Sequence, residues 1–446
     1  MATATTHRLD WTLIFGERGF RYFFLAMFVS LFGSGMNFAG VGWYILATTH
    51  SPVKVSLQVI VVTLPGLIVP FLGGVLIDRI DRRYLGMALD LARGVAVLAT
   101  AAIAYRGHLE IWHLYAMTLV TGMGFAMYWA TVNALVQEVI PPSQFAGASA
   151  VVLIGVQSGM LLAGSVVGFV YDRAGIAGIL AIDGLTYFVS AFCLSRLRSG
   201  YVSPRRSQSY PHEFSEATAA TSGALESSES PLAAEAGLIL AVYSDLKEGF
   251  AYLRKQPQVR ALGITHSTMM AGVISANVLL VLLANDVLHA GARGLGFLEC
   301  GWAFGAICGG LIASQLPPRI RLTLYVAAMA ALAAGHAVMP FVSFLLLAVS
   351  LQAAFGFFRA LGGVVAQSSL MTIVPRHFMG RTQSAFAILS TVLQLLMSFA
   401  LGWLAERKGI FAGFALLAVI YAGATFAAFR ARSLSAPEKR GLSAPF

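Results

Sequence analysis

Long apolar runs, separated by short polar segments, dominate the chain. A helix needs about 20 apolar residues to cross the hydrocarbon core of a bilayer, and most of these runs reach that length. Their residues are apolar on nearly every side, without the polar face that a helix of a soluble protein shows with a period of 3.6 residues. The pattern predicts twelve transmembrane helices with the approximate bounds 20–47, 55–77, 84–105, 111–138, 144–170, 177–196, 259–285, 294–315, 321–339, 343–373, 382–404 and 410–429.

The composition supports a membrane protein. Of the 446 residues, 58% are hydrophobic and only 11% are charged, whereas about 25% are charged in an ordinary soluble domain. So few charged side chains cannot cover a soluble globule, which excludes a soluble enzyme, a disordered protein and a disulfide scaffold. The three cysteines lie inside apolar runs, where packing is their expected role, so we predict neither a metal site nor a cofactor. The sequence contains no GxxxxGK(S/T), HExxH or GxSxG run, and we therefore predict no enzyme activity.

The basic residues predict the orientation in the membrane. With the N-terminus in the cytoplasm, 22 of the 30 Lys and Arg residues fall on the cytoplasmic side, six on the outer side and two within helices. The positive-inside rule favours this arrangement, so both termini are predicted to be cytoplasmic. The excess of basic residues on the cytoplasmic side, in contact with the lipid bilayer, also explains the net charge of +10. A nucleic-acid partner is not needed to explain this charge.

The two halves of the chain resemble each other. The segment 168–175 is similar to the segment 402–409, at an offset of 234 residues. Two sets of six helices in parallel repeat are typical of a secondary transporter with two lobes. We therefore divide the chain into an N-terminal six-helix lobe (1–198), a cytoplasmic linker with an amphipathic helix (199–258), and a C-terminal six-helix lobe with a cytoplasmic tail (259–446).

A basic motif lies between the second and third runs. It consists of Gly74, Asp78 and Arg79, followed by Arg82 and Arg83. The motif resembles the loop signature of the major facilitator superfamily, and the resemblance extends over nearly the whole chain. In that family the cluster latches the two lobes in the outward-open state, which implies a gating role here. A plain basic loop that follows the positive-inside rule is the alternative.

Further motifs resemble one branch of this family, the enterobactin exporters and macrolide-efflux transporters. They are the segment 65–70, Asp90-x-x-Arg93, the segment 182–188, the linker segment 249–257 and Gly380-Arg381. The resemblance implies a secondary exporter in the inner membrane of a bacterium, with Arg381 in its gating region. It further implies a monomer that moves a siderophore, drug or antibiotic in exchange for protons, by alternating access. An importer or lipid transporter of the same fold is the alternative, ahead of a membrane-embedded enzyme or a transport-dead sensor.

Ionisable residues at membrane depth are costly, so each is a candidate functional residue. Asp90 and Arg93 are three residues apart, so they can pair with each other or with the loop motif, in a structural or gating role. Asp183 and Glu299 are predicted to lie in the outer third of their helices. Either carboxyl group is a candidate for carrying a proton, and contact with the N-terminal dipole of its own helix is an equal alternative.

Arg359 is the best single candidate for the substrate site, because it lies in the middle of the tenth run. A buried cation needs an anion, which is either a carboxylate or catecholate of the substrate or a nearby acidic side chain such as Glu299. Asn37, Asn133 and Gln367 are polar residues that are also candidates for lining a substrate cavity.

Overall fold

The computed structural model describes the backbone of residues 18–69, 81–139, 145–197, 248–249, 251–316 and 318–434. Twelve of the helical segments in these ranges are numbered here in chain order. In the first half, α1 covers Arg18–Thr49, α2 Pro52–Thr63, α3 Arg82–Tyr105 and α4 Ile111–Val139, and the stretch Phe145–Ser195 is broken at Gly175 into α5 (145–174) and α6 (176–195). In the second half, α7 covers Pro257–Leu282, α8 Gly291–Gln315, α9 Pro318–Val338, α10 Leu345–Ile373, α11 Arg376–Lys408 and α12 Ile410–Leu434.

The fold confirms the all-α polytopic class. Ten candidate membrane spans are found among the described residues, and one of them, Ile154–Ser195, contains the break at Gly175 and so comprises parts of two helices. The observed helix bounds agree with the predicted runs to within a few residues, except that the predicted second run extends beyond the described residues at 70–77. The helix of α7 continues into a π-helical turn, Leu283–Val287.

Gly175 and Gly409 show that the two halves are built alike. Gly175 separates α5 from α6 with φ 60° and ψ −163°, and Gly409 separates α11 from α12 with φ 84° and ψ 168°. A positive φ of this kind is readily adopted only by glycine. The two residues occupy equivalent places in the repeated segments 168–175 and 402–409, so the sequence similarity reflects the same tight reversal in each half.

Pro257 begins a helix in the structure. Residues 251–255 of the linker are helical, Gln256 is not, and Pro257 opens the first turn of α7. Proline is well tolerated in a first turn because its missing N–H has no partner there in any case. The first helix of the second lobe, α7, therefore follows the linker helix almost without a gap.

Glycines allow the helices to approach each other closely. Gly301, Gly305 and Gly309 of α8 face the backbone carbonyl groups of Val349, Ala353 and Phe357 on α10, respectively. In the first half, Gly155 and Gly159 of α5 face α1. Small residues at such interfaces let two backbones pack tightly where lipid supplies no hydrophobic driving force.

The two lobes meet along two pairs of helices. α2 packs against α11, and α5 packs against α8. Gly164 of α5 faces the backbone of Gly296 and Cys300 on α8, and Gly402 of α11 faces Pro52 and Ser56 on α2. Between these two seams the lobes enclose a cavity.

We predict that Gly305→Ala destabilises the packing of α8 on α10. A β-carbon at this position would lie 1.8 Å from the carbonyl oxygen of Ala353, and overpacking of this kind costs about 1–3 kcal/mol. The midpoint of thermal unfolding in detergent should fall. Gly310→Ala is the matched control, because no described heavy atom other than its chain neighbours and the backbone of its own helix lies within 4 Å of its would-be β-carbon; equal midpoints for the two variants would contradict the close packing.

Candidate functional site

A cavity of about 490 Å³ lies between the two lobes. All the helices except α3 contribute to its lining. Most of the lining is apolar, with the hydroxyl and amide groups of both lobes interspersed. Its ionisable or aromatic polar side chains are Tyr187, Glu299, His336, Arg359 and Tyr421.

The cavity is closed at one face of the bundle, which carries the α1–α2 connection and which the basic residues predict to be the outer face. Here Glu406 of α11 accepts hydrogen bonds from the Ser51 hydroxyl (2.5 Å) and the Val53 N–H (3.0 Å). Glu406 therefore caps the N-terminus of α2 from the opposite lobe, where the helix dipole favours an anion. We call this contact the α2 cap.

A second contact closes the same face at the other seam. Arg293 of α8 forms an ion pair with Asp172 of α5, and its guanidinium lies 5.2 Å from the centroid of the Phe169 ring. About two turns deeper, the Ser165 hydroxyl lies 3.3 Å from the Cys300 sulfur. Each of these contacts joins the two lobes, so the predicted outer face can open only when they break.

Asp183 lies behind the cavity wall. Its side chain is fully buried, one carboxylate oxygen accepts a hydrogen bond from the Asn37 amide (2.5 Å), and the other oxygen has no partner among the described residues. Asn37 itself lines the cavity. The amide therefore connects a buried carboxyl group to the cavity space.

Asp183 lies well inside its helix. It is eight residues after Gly175, beyond the first turn of α6. Glu299 likewise lies eight residues into α8. The field of a helix dipole falls off within the first turn, so contact with the dipole of its own helix does not account for either carboxyl group.

Asp90 and Arg93 form a buried ion pair within α3. The two residues are 0% and 1% exposed. Ser190 donates a hydrogen bond of 2.6 Å to the second carboxylate oxygen of Asp90. The guanidinium of Arg93 lies 4.5 Å from the ring centroid of Tyr187 and 5.0 Å from that of Tyr128. The pair is thus held by side chains of the first lobe, and only the Arg93 Nε lacks a hydrogen-bond partner among the described residues around it.

Tyr187 links this ion pair to the cavity. Its hydroxyl lies 2.9 Å from that of Ser34, and both residues line the cavity. Neither residue is among the predicted site residues, although Tyr187 lies in the motif segment 182–188. A tyrosine nine residues before the end of a predicted helix run carries no signal by itself, and only the packing of α6 on α1 and α3 brings its ring onto Arg93.

Glu299 and Arg359 both line the cavity, as expected for candidate site residues. Arg359 contacts the Met270 sulfur (3.4 Å) and lies 5.8 Å from the ring centroid of Trp302, and its Nε has no hydrogen-bond partner among the described residues. Of the two alternatives for the anion that Arg359 needs, an ion pair with Glu299 is not formed. Both charged groups are therefore available to a molecule that occupies the cavity.

His336 forms part of an aromatic stack in the wall of the cavity. Its ring stacks on Phe355 with centroids 4.3 Å apart and on Tyr421 with centroids 5.1 Å apart, and its Nδ1 lies 2.7 Å from the Leu332 carbonyl oxygen. One ring nitrogen is thus held by the backbone, which supports a packing role. Within the described part of the chain, no group of three or more His, Cys, Asp or Glu side chains is arranged to hold a metal ion.

Several residues of the predicted gating motif lie outside the described residues. They are Gly74, Asp78 and Arg79, together with the side chain of Arg82. Arg83 donates a hydrogen bond of 2.8 Å to the carbonyl oxygen of Ser195 at the end of α6. That contact lies within the first lobe.

Arg381 contacts the linker. It forms an ion pair of 2.5 Å with Glu248, and the backbone of Gly249 packs against that of Arg381. The side chain of Asn133 lies outside the described residues. Gln367 is not part of the cavity lining, because it lies eight residues beyond Arg359 along α10, a rise of about 12 Å toward the predicted inner face.

Comparisons with known proteins bear on this arrangement. The family model described as Major Facilitator Superfamily matches residues 23–398. The chain is 24% identical over 377 residues to an uncharacterised MFS-type transporter, YfiS, of Bacillus subtilis (strain 168), covering 81% of this chain and 80% of that protein. It is 20% identical over 284 residues to Macrolide efflux protein A of Streptococcus pyogenes, covering 64% of this chain and 63% of that protein. The crystal structure of the nucleoside transporter NupG matches 93% of this chain and 98% of its own with a TM-score of 0.65, and at 12% identity this shows the fold alone.

We predict that Glu406→Ala opens the predicted outer face more often. An exposed contact such as the α2 cap is worth about 0.2–1 kcal/mol, so the accessibility of Cys300 to an impermeant maleimide should rise about 1.4- to fivefold. The measurement uses a background with Cys193→Ser and Cys308→Ser, so that Cys300 is the reporter. Glu110→Ala is the control, because Glu110 bonds to Trp112 at the same face within one lobe; equal rates in both variants would show that the α2 cap does not hold this face closed.

We predict that Asp90→Leu strongly destabilises the protein, because it leaves the Arg93 cation buried without its anion. Breaking a buried ion pair in this way costs about 3–5 kcal/mol. The double variant Asp90→Leu/Arg93→Met should recover most of the thermal stability measured in detergent. Asp172→Asn, in a half-exposed pair, should cost less than about 1 kcal/mol. A single variant as stable as the wild type would contradict the structural role of the pair.

Proposed function

The chain belongs to the Major Facilitator Superfamily, and on this basis we propose that it is a secondary exporter that moves small amphipathic molecules in exchange for protons. The observation that carries the proposal is the cavity between the lobes, which is closed at the predicted outer face by contacts that can separate. A site that is shut at one face by exposed polar contacts between rigid lobes supports alternating access. The match to Macrolide efflux protein A supports export as the direction.

The lining of the cavity supports an amphipathic cargo. Phe38, Phe125, Trp302 and Phe355 supply apolar surface, and the polar side chains between them are few. Apolar walls with a small number of polar groups suit a drug-sized molecule that is largely apolar. We propose a siderophore or an antibiotic as the cargo class, because the sequence motifs resemble those of the enterobactin exporters and macrolide-efflux transporters.

Asp183 is the residue that we propose as the proton carrier. Its carboxyl group is flanked by Asn37 of α1, by Thr186 of its own helix and by the Arg93 and Tyr187 pair beyond. A buried carboxyl group with one unpartnered oxygen can take up a proton without losing a hydrogen bond. Asn37 lines the cavity and supplies the contact with cavity water or cargo.

The remaining roles are proposed on the same grounds. Glu299 is the second candidate for proton coupling. The basic loop motif, with Arg83 and Arg381, gates the predicted inner face, and the Asp90–Arg93 pair holds the first lobe rigid beneath it. We further propose that the protein is a monomer in the inner membrane of a bacterium with both termini in the cytoplasm, an orientation that the distribution of Lys and Arg supports.

Flux into proteoliposomes tests this function. A catecholate siderophore, a macrolide and a cationic dye are supplied outside vesicles whose interior is acidic, so that protons leaving the lumen drive an antiporter to accumulate its cargo. We expect accumulation of at least one of these cargoes, and we expect Asp183→Asn to reduce it at least tenfold by removing the proton site. Asp286→Asn is the control, since Asp286 is exposed and contacts only its neighbour Asn285 in the described part of the chain.

The same assay distinguishes the alternatives. Accumulation when the exterior is acidic would indicate proton-coupled import. Movement of cargo that does not respond to the gradient or to Asp183→Asn would show that the antiport mechanism is wrong and that facilitated transport of a lipid or nutrient must be tested.

A further inference from the structure

Two side chains of opposite charge share the cavity without pairing. Glu299 on α8 and Arg359 on α10 both line it, and neither forms an ion pair with any described residue. This contrasts with Asp90 and Arg93, which are equally deep in the protein and are paired. Charges inside a membrane protein are normally neutralised by a partner, so two open charges of opposite sign indicate that the partner is supplied by the cargo.

The register of α8 on α10 sets the distance between the two charges. Gly305 faces Ala353 and Gly309 faces Phe357, a constant offset of 48 positions. Glu299 is therefore level with position 347 of α10, and Arg359 is rooted twelve residues, or about 18 Å, nearer the predicted inner face. Side chains of a helix point back toward its N-terminus, which carries the guanidinium of Arg359 up to the Trp302 ring, 5.8 Å from its centroid.

Trp302 lies between the two charges. It follows Glu299 by three residues on the same face of α8, and side chains at this spacing are about 5–6 Å apart at their β-carbons. The carboxylate and the guanidinium are therefore separated by about 10 Å, too far for an ion pair. The indole ring fills the interval with an apolar surface.

We propose that the cargo is a zwitterionic amphiphile, in which an acidic group binds Arg359, a protonated amine binds Glu299 and an apolar body between them packs on Trp302. The inference rests on the proposed export function and deepens it by naming the charges of the cargo. A purely cationic macrolide or a purely anionic catecholate satisfies only one of the two side chains, and leaves the other charged in the cavity.

The arrangement also relates Glu299 to coupling. Protonation of Glu299 removes the negative charge that holds the amine, so a proton and the cargo exclude each other at this residue. Its proposed roles in coupling and in cargo binding are therefore compatible.

Linear tripeptides with one sequence and different ends test the proposal. An extended tripeptide spans about 10 Å, so tritiated Ala-Phe-Ala presents an amine and a carboxylate at the required separation around an aromatic side chain. Three capped forms serve as comparisons: N-acetylated (anion only), C-amidated (cation only) and doubly capped (neutral). Equilibrium binding to the purified full-length protein in nanodiscs is measured by scintillation proximity.

We expect the wild type to bind the uncapped peptide at least tenfold more tightly than either singly capped form. Arg359→Gln should abolish the preference for a free carboxylate and keep the preference for a free amine. Glu299→Gln should do the opposite, and Arg359→Lys should keep part of the carboxylate preference because it keeps the charge. Asn277→Ala is the matched control, because Asn277 lines the cavity while its amide bonds to carbonyl groups of its own helix; it should change all four affinities alike.

Equal binding of all four forms by the wild type, or no binding of any of them, would overturn the zwitterion inference, and neither result depends on a variant that folds. Gradient-driven flux of a capped or singly charged cargo in the same preparation would leave the exporter proposal standing while this inference fails. Tight, end-dependent binding without gradient-driven flux would support the cavity chemistry and overturn the proposed antiport.

Discussion

The absence of water from the hydrocarbon core of a bilayer is the constraint on which the rest of this structure depends. A polar group at membrane depth has to find its partner inside the protein. Some buried hydroxyl groups do so on their own helix, as Thr100 does with the Ala96 carbonyl, and others do so on a neighbouring helix, as Ser267 does with the Phe386 carbonyl. Asp90 and Arg93 satisfy each other with help from Ser190 and two tyrosine rings.

Three ionisable side chains at or directly behind the cavity wall are exceptions to this rule. Asp183 keeps one carboxylate oxygen unpartnered behind Asn37, and Glu299 and Arg359 remain apart although their charges are opposite. Such groups lower the stability of the empty protein, and they are the groups that a proton or a charged cargo can satisfy. The paired charges thus belong to the structural framework of the lobe, whereas the unpaired groups lie where a proton or a cargo molecule can bind.

The interfaces of the lobes divide in a similar way. Within a lobe, the glycines of α8 bring its backbone against α10, a tight contact that changes little when the lobes move as rigid bodies. Between the lobes, the close contact of Gly164 with Gly296 is joined by the α2 cap and the Asp172–Arg293 pair, which are partly exposed polar contacts of low individual energy. Polar contacts of low energy at the outer face are what rocking around a fixed central site requires.

The sequence by itself determined the helices, their bounds and the repeat, because the length and apolar character of a membrane span are local properties. It also identified Arg359, Glu299 and Asn37 as polar residues at membrane depth, since such residues stand out against an apolar background. Only the tertiary structure decided that Asn37 bonds to Asp183, that Arg93 lies on Tyr187, and that Glu406 caps α2. These contacts join residues that are 94 to 355 positions apart in the chain, and no local pattern specifies which helix faces meet. The same reason explains why Gln367 was expected in the cavity and lies outside its lining: its position along α10 was evident from the sequence, but the face and depth that border the cavity were set by packing.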